Sequence, residues 1–232
     1  MRVAVTRPEE DAGPLTAKLT AMGHEVVMAP LLTIRPRDGV KIPNMPWQAI
    51  AVTSANGIRA LPAGHDLTSF RTLTVGPQSL KAARAAGFRA EAHGGDVNGL
   101  ARFIRDNLDP KAGPVLYLSG AETAGDLEAQ LTAAGFACCR VVLYDAAPAE
   151  ALDGAEDDLR QGRLDAVLLY SPRSAKIWRA LVGRAGLDSE AARLRHLCLS
   201  RNVAAALPEG WPASIAASPD EAAILALLDQ TA

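Results

Sequence analysis

Short β-rich runs recur along the chain: Arg2 to Thr6, Glu25 to Ala29, Ala49 to Thr53, Thr72 to Val75, Val115 to Leu118, Arg140 to Tyr144, Ala166 to Tyr170 and His196 to Leu199. Between most of them the apolar positions recur every third or fourth residue, the period of a helix with one buried face. The first such segment opens on Pro8-Glu9-Glu10-Asp11, where a proline and acids suit a helix start. It carries Leu15, Leu19 and Met22 on one face and stops at Gly23. The pattern predicts strand, helix, strand. Repeated along the chain, that grammar predicts an α/β protein with parallel sheets.

The grammar also repeats in larger blocks. Val115 to Leu118, a helical segment with Leu127, Leu131 and Ala134, then Gly135 and Ala137 to Tyr144 copy the opening unit. Ala51-Val52-Thr53-Ser54-Ala55-Asn56-Gly57-Ile58 reads against Leu168-Leu169-Tyr170-Ser171-Pro172-Arg173-Ser174-Ala175, each a buried strand ending in a serine-bearing turn. Val75-Gly76-Pro77-Gln78-Ser79 reads against Leu199-Ser200-Arg201-Asn202-Val203, and each block closes with a helical segment, Val97 to Ile104 or Asp220 to Leu228. The spacing of about 115 residues is too long for a solenoid repeat and suits an internal duplication into two lobes. Pro30 to Pro36 and Tyr144 to Pro148 are extended, proline-bounded stretches that follow strands, and they predict two crossings between lobes. The first lobe then holds residues 1–33 with 147–232, and the second holds 34–146.

Composition narrows the function classes. With 232 residues, 49% of them hydrophobic and 4% aromatic, the chain suits helices on parallel sheets better than an aromatic-rich β core. A formal net charge of -2 gives no basic footprint for nucleic acid. No apolar stretch approaches a bilayer span and the N-terminus opens on a strand, so neither membrane anchor nor signal peptide is visible and the cytoplasm is expected. With no long exposed apolar stripe, a monomer is expected. Cys138 and Cys139 are adjacent in a strand and should face opposite ways, and with Cys198 they read as small core residues. His24 and His196 lead into strands and His65 and His93 lie in loops, so all four read as surface or boundary residues, and no metal site is expected. The acidic run Glu156 to Asp158 reads as a solvated helix face.

In open parallel sheets ligands sit beyond the carboxyl ends of strands. Those ends read Thr6-Arg7, Thr53-Ser54-Ala55-Asn56, Gly76-Pro77-Gln78-Ser79, Ser119-Gly120, Ser171-Pro172-Arg173-Ser174 and Ser200-Arg201-Asn202: hydroxyls, amides and arginines, with almost no carboxylate or histidine. Taken singly, each Ser, Thr or Asn reads as a helix N-cap. Recurrence at the same place in several units, joined by Arg7, Arg173 and Arg201, turns the set toward an anion-binding cleft. No G-x-G-x-x-G follows the first strand, and neither a P-loop nor a G-x-S-x-G elbow is present, which removes the main support for dinucleotide, nucleoside-triphosphate and serine-hydrolase readings.

Val5-Thr6-Arg7-Pro8, Val52-Thr53-Ser54-Ala55-Asn56-Gly57, Val75-Gly76-Pro77, Val142-Leu143-Tyr144 and Ser171-Pro172, in that order and spacing, resemble the uroporphyrinogen-III synthases. The resemblance covers nearly the whole chain. It implies two Rossmann-like, flavodoxin-like lobes joined by two extended linkers, with the active site in the cleft between them. It also implies a cofactor-free reaction on hydroxymethylbilane, in which the terminal hydroxyl is lost as water, the last pyrrole ring inverts through a spiro intermediate, and the macrocycle closes to uroporphyrinogen III.

Carried onto this chain, the resemblance makes Tyr144 the candidate to help the hydroxyl depart. A phenol ionises near pH 10 and can donate a hydrogen bond at neutral pH, although an aromatic packed beneath a hinge is the equal alternative. Ser54, Ser79 and Ser171 match positions facing the cleft. Together with Arg7, Thr53, Asn56, Gly76, Ser119, Arg173, Ser200, Arg201 and Asn202 they form the expected substrate-binding set. One departure stands out: where the family commonly shows a glycine-proline-threonine turn, this chain has Ser200-Arg201-Asn202-Val203. The rival from another class is a two-lobed binding or sensing module that closes on a small anionic ligand without chemistry.

Overall fold

In the computed structural model, which describes residues 1–123 and 125–229, the apolar runs form two largely parallel sheets flanked by helices, with strand Leu32–Pro36 running antiparallel to strand Cys138–Pro148 at one edge. In chain order the elements are β1 (Arg2–Val5), α1 (Glu9–Ala21), β2 (Glu25–Met28), β3 (Leu32–Pro36), β4 (Ala49–Val52), α2 (Ala55–Arg59), β5 (Arg71–Thr74), α3 (Pro77–Ala85), β6 (Arg89–Ala92), α4 (Val97–Asn107), β7 (Val115–Gly120), α5 (Leu127–Ala133), β8 (Cys138–Pro148), α6 (Gly154–Arg160), β9 (Ala166–Leu169), α7 (Pro172–Ala185), α8 (Asp188–Ala191), β10 (Arg195–Cys198), α9 (Arg201–Ala204), β11 (Ala213–Ile215) and α10 (Glu221–Leu225). The last three residues of the expected 147–232 segment lie outside the described residues.

Two compact units result, one made of Met1–Thr33 with the chain from Ala147 onward, the other of Ile34–Ala146. The first contains a five-stranded sheet in the order β11-β10-β9-β1-β2, and the second a six-stranded sheet in the order β3-β8-β7-β4-β5-β6. Numbered within its unit, the first sheet runs 2-1-3-4-5, the flavodoxin-like order. If β7 and β8 are counted first in the second unit, β8-β7-β4-β5-β6 repeats that order as a circular permutation, with β3 added beyond β8. The duplicated blocks of the sequence therefore occupy equivalent places. β1-α1-β2 corresponds to β7-α5-β8, and β4-α2 to β9-α7. The stretches expected as linkers are strands here: the unit boundaries at 33/34 and 146/147 fall within β3 and β8, which are neighbours in the sheet.

Every residue of β1 after Arg2, and all of β4, β7 and β9, is buried, as expected for central parallel strands covered on both faces. Side-chain alternation then gives each sheet two cores. In the first unit Ala4, Val167 and Trp178 pack on one side, and Val3, Val5, Leu15 and Leu168 on the other. In the second, Ile50, Val52, Leu116 and Leu118 oppose Ala49, Ala51, Leu100 and Tyr117. Cys138 and Cys139 are half-buried on opposite faces, and Cys198 is buried. Burial pushes the Cys138 and Cys198 thiols up to about 12, so they sit as inert packing groups.

Two surface expectations are corrected. His196 lies inside β10 and is fully buried, and burial lowers its pKa from 6.5 to about 4. Its Nε2 accepts from Trp178 Nε1–H at 3.2 Å, its Nδ1 meets the Pro212 carbonyl at 3.0 Å, and its ring stacks on Trp211. The unfolded chain takes up a proton on this ring below about pH 6.5, whereas the folded chain resists until about pH 4. Stability is therefore expected to be flat above pH 6.5 and to fall as pH drops toward 4, by on the order of 3 kcal/mol. Urea unfolding at pH 7 and 4.5 tests this. His196→Gln should flatten that part of the pH dependence, and an unchanged slope would clear His196 of it.

Asp158 is likewise buried rather than solvated. Arg2 Nε donates to one of its oxygens and Arg163 Nε to the other, each at 2.8 Å. Burial alone would raise its pKa, but the two guanidinium groups outweigh that and hold the carboxylate below its usual range. Periodicity missed this because the acid turns inward to meet two arginines distant in the chain or at the helix end.

Candidate functional site

The carboxyl ends of β4 and β7 adjoin at the point where the strand order of the second sheet reverses, and the candidate residues of that unit gather there. Thr53 Oγ1 lies 3.1 Å from the Tyr117 hydroxyl, whose pKa burial raises, so it remains a neutral partner. Ser54 is the N-cap of α2, its Oγ accepting from Asn56 N–H at 3.3 Å. Buried Asn56 in turn holds Arg59, its Oδ1 accepting at 2.7 Å. A Cβ on Gly57 would stand 3.0 Å from the Leu118 carbonyl oxygen, so glycine lets α2 rest directly on β7.

Gly76 caps α3 without a side chain, with Pro77 at its first position and buried Ser79 within its first turn. Ser119 is buried and accepts from Arg140 Nε at 2.9 Å. The Tyr144 ring, only 7% exposed, lies on Gly120, where an added Cβ would stand 2.7 Å from ring carbons Cε2 and Cζ. The backbone joins here too, Ala121 N–H donating to the Tyr144 carbonyl at 2.9 Å.

In the first unit the ends of β1 and β9 meet in the equivalent place. Thr6 Oγ1 donates to the Leu168 carbonyl at 2.6 Å. Arg7 stacks its guanidinium 4.0 Å from the Tyr170 ring centre and pairs with Glu221 at 3.1 Å, while Lys18 reaches the other Glu221 oxygen at 2.5 Å. One carboxylate thus faces two cations, which leaves this strand end with net positive charge. The Tyr170 hydroxyl is buried with no hydrogen-bond partner among the described residues, and burial pushes its pKa up to about 12. Ser171 caps α7, its Oγ accepting from Ser174 N–H at 3.0 Å, and half-buried Arg173 lies in the first turn of that helix.

A hollow lies beside the altered turn. Ser200 stands at the N-cap of α9 without a side-chain cap bond. Ser200 and Arg201 line a 480 Å³ cavity with Leu199, Ala216, Ser218 and Pro219, between the ends of β10 and β11. Asn202 is exposed on α9 and Val203 is buried against the core.

The structure thus gathers Thr53, Ser54, Asn56, Gly76, Ser79, Ser119 and Tyr144 at one sheet edge of the second unit. It places Arg7, Ser171, Arg173, Ser200, Arg201 and Asn202 at the corresponding edge of the first. Sequence reasoning missed Tyr117, Arg140 and Ser218, and placed Tyr170 at a serine-bearing strand end without giving it a role. Tyr117 and Arg140 read only as parts of strands, and β11, which leads to Ser218, has no apolar run to announce it. A larger hollow of 570 Å³, lined by Arg71, Arg84 and Arg89, lies at the opposite, amino-terminal edge of β5 and β6 and belongs to a different face.

Comparison with known proteins fits this arrangement. The family model described as uroporphyrinogen-III synthase HemD matches residues 13–226. The chain belongs to the uroporphyrinogen-III synthase family. A uroporphyrinogen-III synthase of Chlorobaculum parvum is 25% identical over 201 residues, covering 78% of this chain and 79% of that protein. Two solved members share the fold at 17% identity. A uroporphyrinogen-III synthetase from Helicobacter pylori gives a TM-score of 0.69 over 98% of each chain. A mutant uroporphyrinogen III synthase from Thermus thermophilus gives 0.54 over 99% of this chain and 97% of that one. Within the family's span lie Tyr144, the serine-bearing strand ends and the departing Ser200 to Val203 turn. Among the described residues, no helix is long and apolar enough to cross a membrane, and no group of three or more His, Cys, Asp or Glu could hold a metal ion.

Proposed function

We propose that this chain is a uroporphyrinogen-III synthase, a lyase that dehydrates hydroxymethylbilane, inverts its terminal ring and closes the macrocycle without a cofactor. The observation that carries the mechanistic part is the Tyr144 phenol seated on Gly120 beside a strand end rich in hydroxyls. The electron-rich pyrrole expels its own hydroxyl once a donor assists departure, so the protein needs neither a strong nucleophile nor a carboxylate general acid. Tyr144 is the assisting donor. What remains is orientation: the ring must meet the cation at its already substituted carbon, which requires a held substrate and exclusion of water.

The substrate is a polycarboxylate, and donors at both sets of strand ends suit it. Ser79, near the start of nine-residue α3, and Arg173, in the first turn of fourteen-residue α7, sit where helix N–H groups also point toward anions. Ser200, Arg201 and Ser218, around their hollow, take the part that the missing threonine turn would play. Ser54 and Ser171 fix the first turns of their helices, their oxygens accepting as caps, and a hydroxyl so engaged still carries a proton to donate to a substrate carboxylate. The enzyme is read as a cytoplasmic monomer, the sequence offering no long exposed apolar stripe for a partner subunit.

Freshly generated hydroxymethylbilane supplied to the purified chain, with the products separated by isomer, tests the proposal. The type III isomer is expected in excess, and formation of the spontaneous type I isomer alone would overturn the reading. Titration calorimetry with a polycarboxylate porphyrinogen distinguishes the remaining outcome, binding without turnover, which would assign the chain to the binding-module class.

A further inference from the structure

We propose that Arg140 is a positioning residue for Tyr144, an inference that rests on the reading of Tyr144 as the assisting phenol. β7 and β8 pair in parallel register from Val115 opposite Cys138 to Ser119 opposite Val142. There the register slips by one residue, so that Gly120 faces Tyr144. With regular alternation, Tyr144 would share the sheet face of Arg140 and Val142. Instead Leu143 and Tyr144 both pack in the core formed by Leu116, Leu118 and Ile58. Arg140 stands opposite Tyr117, whose core lies on the other face, and from there reaches Ser119. The slip turns the phenol over to the opposite side of the sheet.

Such a slip disturbs the ladder and leaves backbone carbonyls in want of donors. Arg140 supplies them. Its Nη2 donates to the Gly120 carbonyl at 2.9 Å and to the Ala121 carbonyl at 2.8 Å, while Nε donates to Ser119 Oγ at 2.9 Å. A planar guanidinium presents these N–H groups in a fixed fork, which a flexible ammonium does not. The same Gly120 residue is covered by the Tyr144 ring, with no Cβ to hold the two apart. The guanidinium and the phenol therefore grip one short stretch of backbone. Any shift of Gly120 moves the surface on which the ring rests, and Arg140 sets where that surface lies.

A double-mutant cycle in the full chain, Arg140→Met with Tyr144→Phe, tests this, read as kcat and KM for hydroxymethylbilane. Methionine keeps the apolar stem and removes the donors. Arg140→Met is expected to lower kcat by about 5- to 10-fold while KM changes less than about twofold, with Arg140→Lys recovering part of the loss. In the Tyr144→Phe background the same change is expected to cost less than about twofold, because the hydroxyl it places is gone.

Labelling the protein's 3 tyrosines with fluorotyrosine adds a readout independent of turnover. The fluorine resonance lost in Tyr144→Phe should shift or broaden in Arg140→Met, while the Tyr170 resonance holds. An undiminished effect of Arg140→Met in the Tyr144→Phe background, or an unmoved Tyr144 resonance, overturns the positioning role and leaves the synthase reading standing. If the unmodified chain yields the type I isomer alone, the synthase reading falls, and the fluorine resonance still decides whether Arg140 places the ring. Should Arg140→Met fail to fold, Arg140→Lys carries the same cycle with smaller expected changes.

Discussion

Tyr144→Phe is expected to lower the turnover of hydroxymethylbilane by about 10- to 100-fold, the loss typical of one assisting proton donor. The expectation is specific because the ring has its own structural work. Tyr144 is 7% exposed, packs in the core with Leu143 and Leu116, and covers Gly120. Phenylalanine keeps all of that contact and removes a single hydroxyl. Folding should therefore be nearly unaffected, with a melting temperature within a few degrees of the parent, as for a change that leaves core volume intact. Kinetics beside thermal unfolding separates the two roles. Full turnover in the variant would make Tyr144 a packing residue and move the search for the donor elsewhere.

Gly120→Ala should be at least as damaging, for a steric reason. The new Cβ would lie 2.7 Å from two ring carbons, well inside contact distance. The strand cannot easily retreat, since Arg140 holds the Gly120 carbonyl and Ala121 N–H is bonded to the Tyr144 carbonyl. The ring must give way. The expected result is a fall in kcat no smaller than that of Tyr144→Phe, together with about 1 to 3 kcal/mol of destabilisation from overpacking. Urea midpoints and initial rates measure both. Parent-like kcat with lost stability would show that the phenol works equally well from a displaced ring, contrary to the geometry argued above.

The central strands were legible because a parallel strand covered on both faces is apolar throughout: Ala49 to Val52 and Ala166 to Leu169 carry their burial in their composition. β3, β6 and β11 escaped notice as strands: they lie at sheet edges, where Arg89, Glu91, Thr33 and Ser214 are tolerated because one side faces water. The candidate site divides similarly. Its hydroxyl-bearing turns could be read because caps and ligand donors draw on the same residue types, and Ser54 and Ser171 proved to be caps. Ser200 shows no such bond. The pairing of Arg140 with Ser119 and the reversal of Tyr144 could not be read, because nothing in Val141-Val142-Leu143-Tyr144 marks the register slip. That slip depends on how two strands meet.

The interrupted first unit has a consequence for synthesis on the ribosome. β1 is central in its sheet, yet its neighbour β9 pairs Ala166 with Val3, so most of the chain must emerge before that apolar strand is covered on both edges. The strands of the second unit, by contrast, follow one another without interruption, and its compact set is complete by Ala146. The nascent protein therefore finishes its middle before its beginning, and β1 with β2 waits, half-paired, throughout. Ribosomal pausing between Ala146 and Ala166 prolongs that wait, so its harm should appear as aggregation of the opening strands.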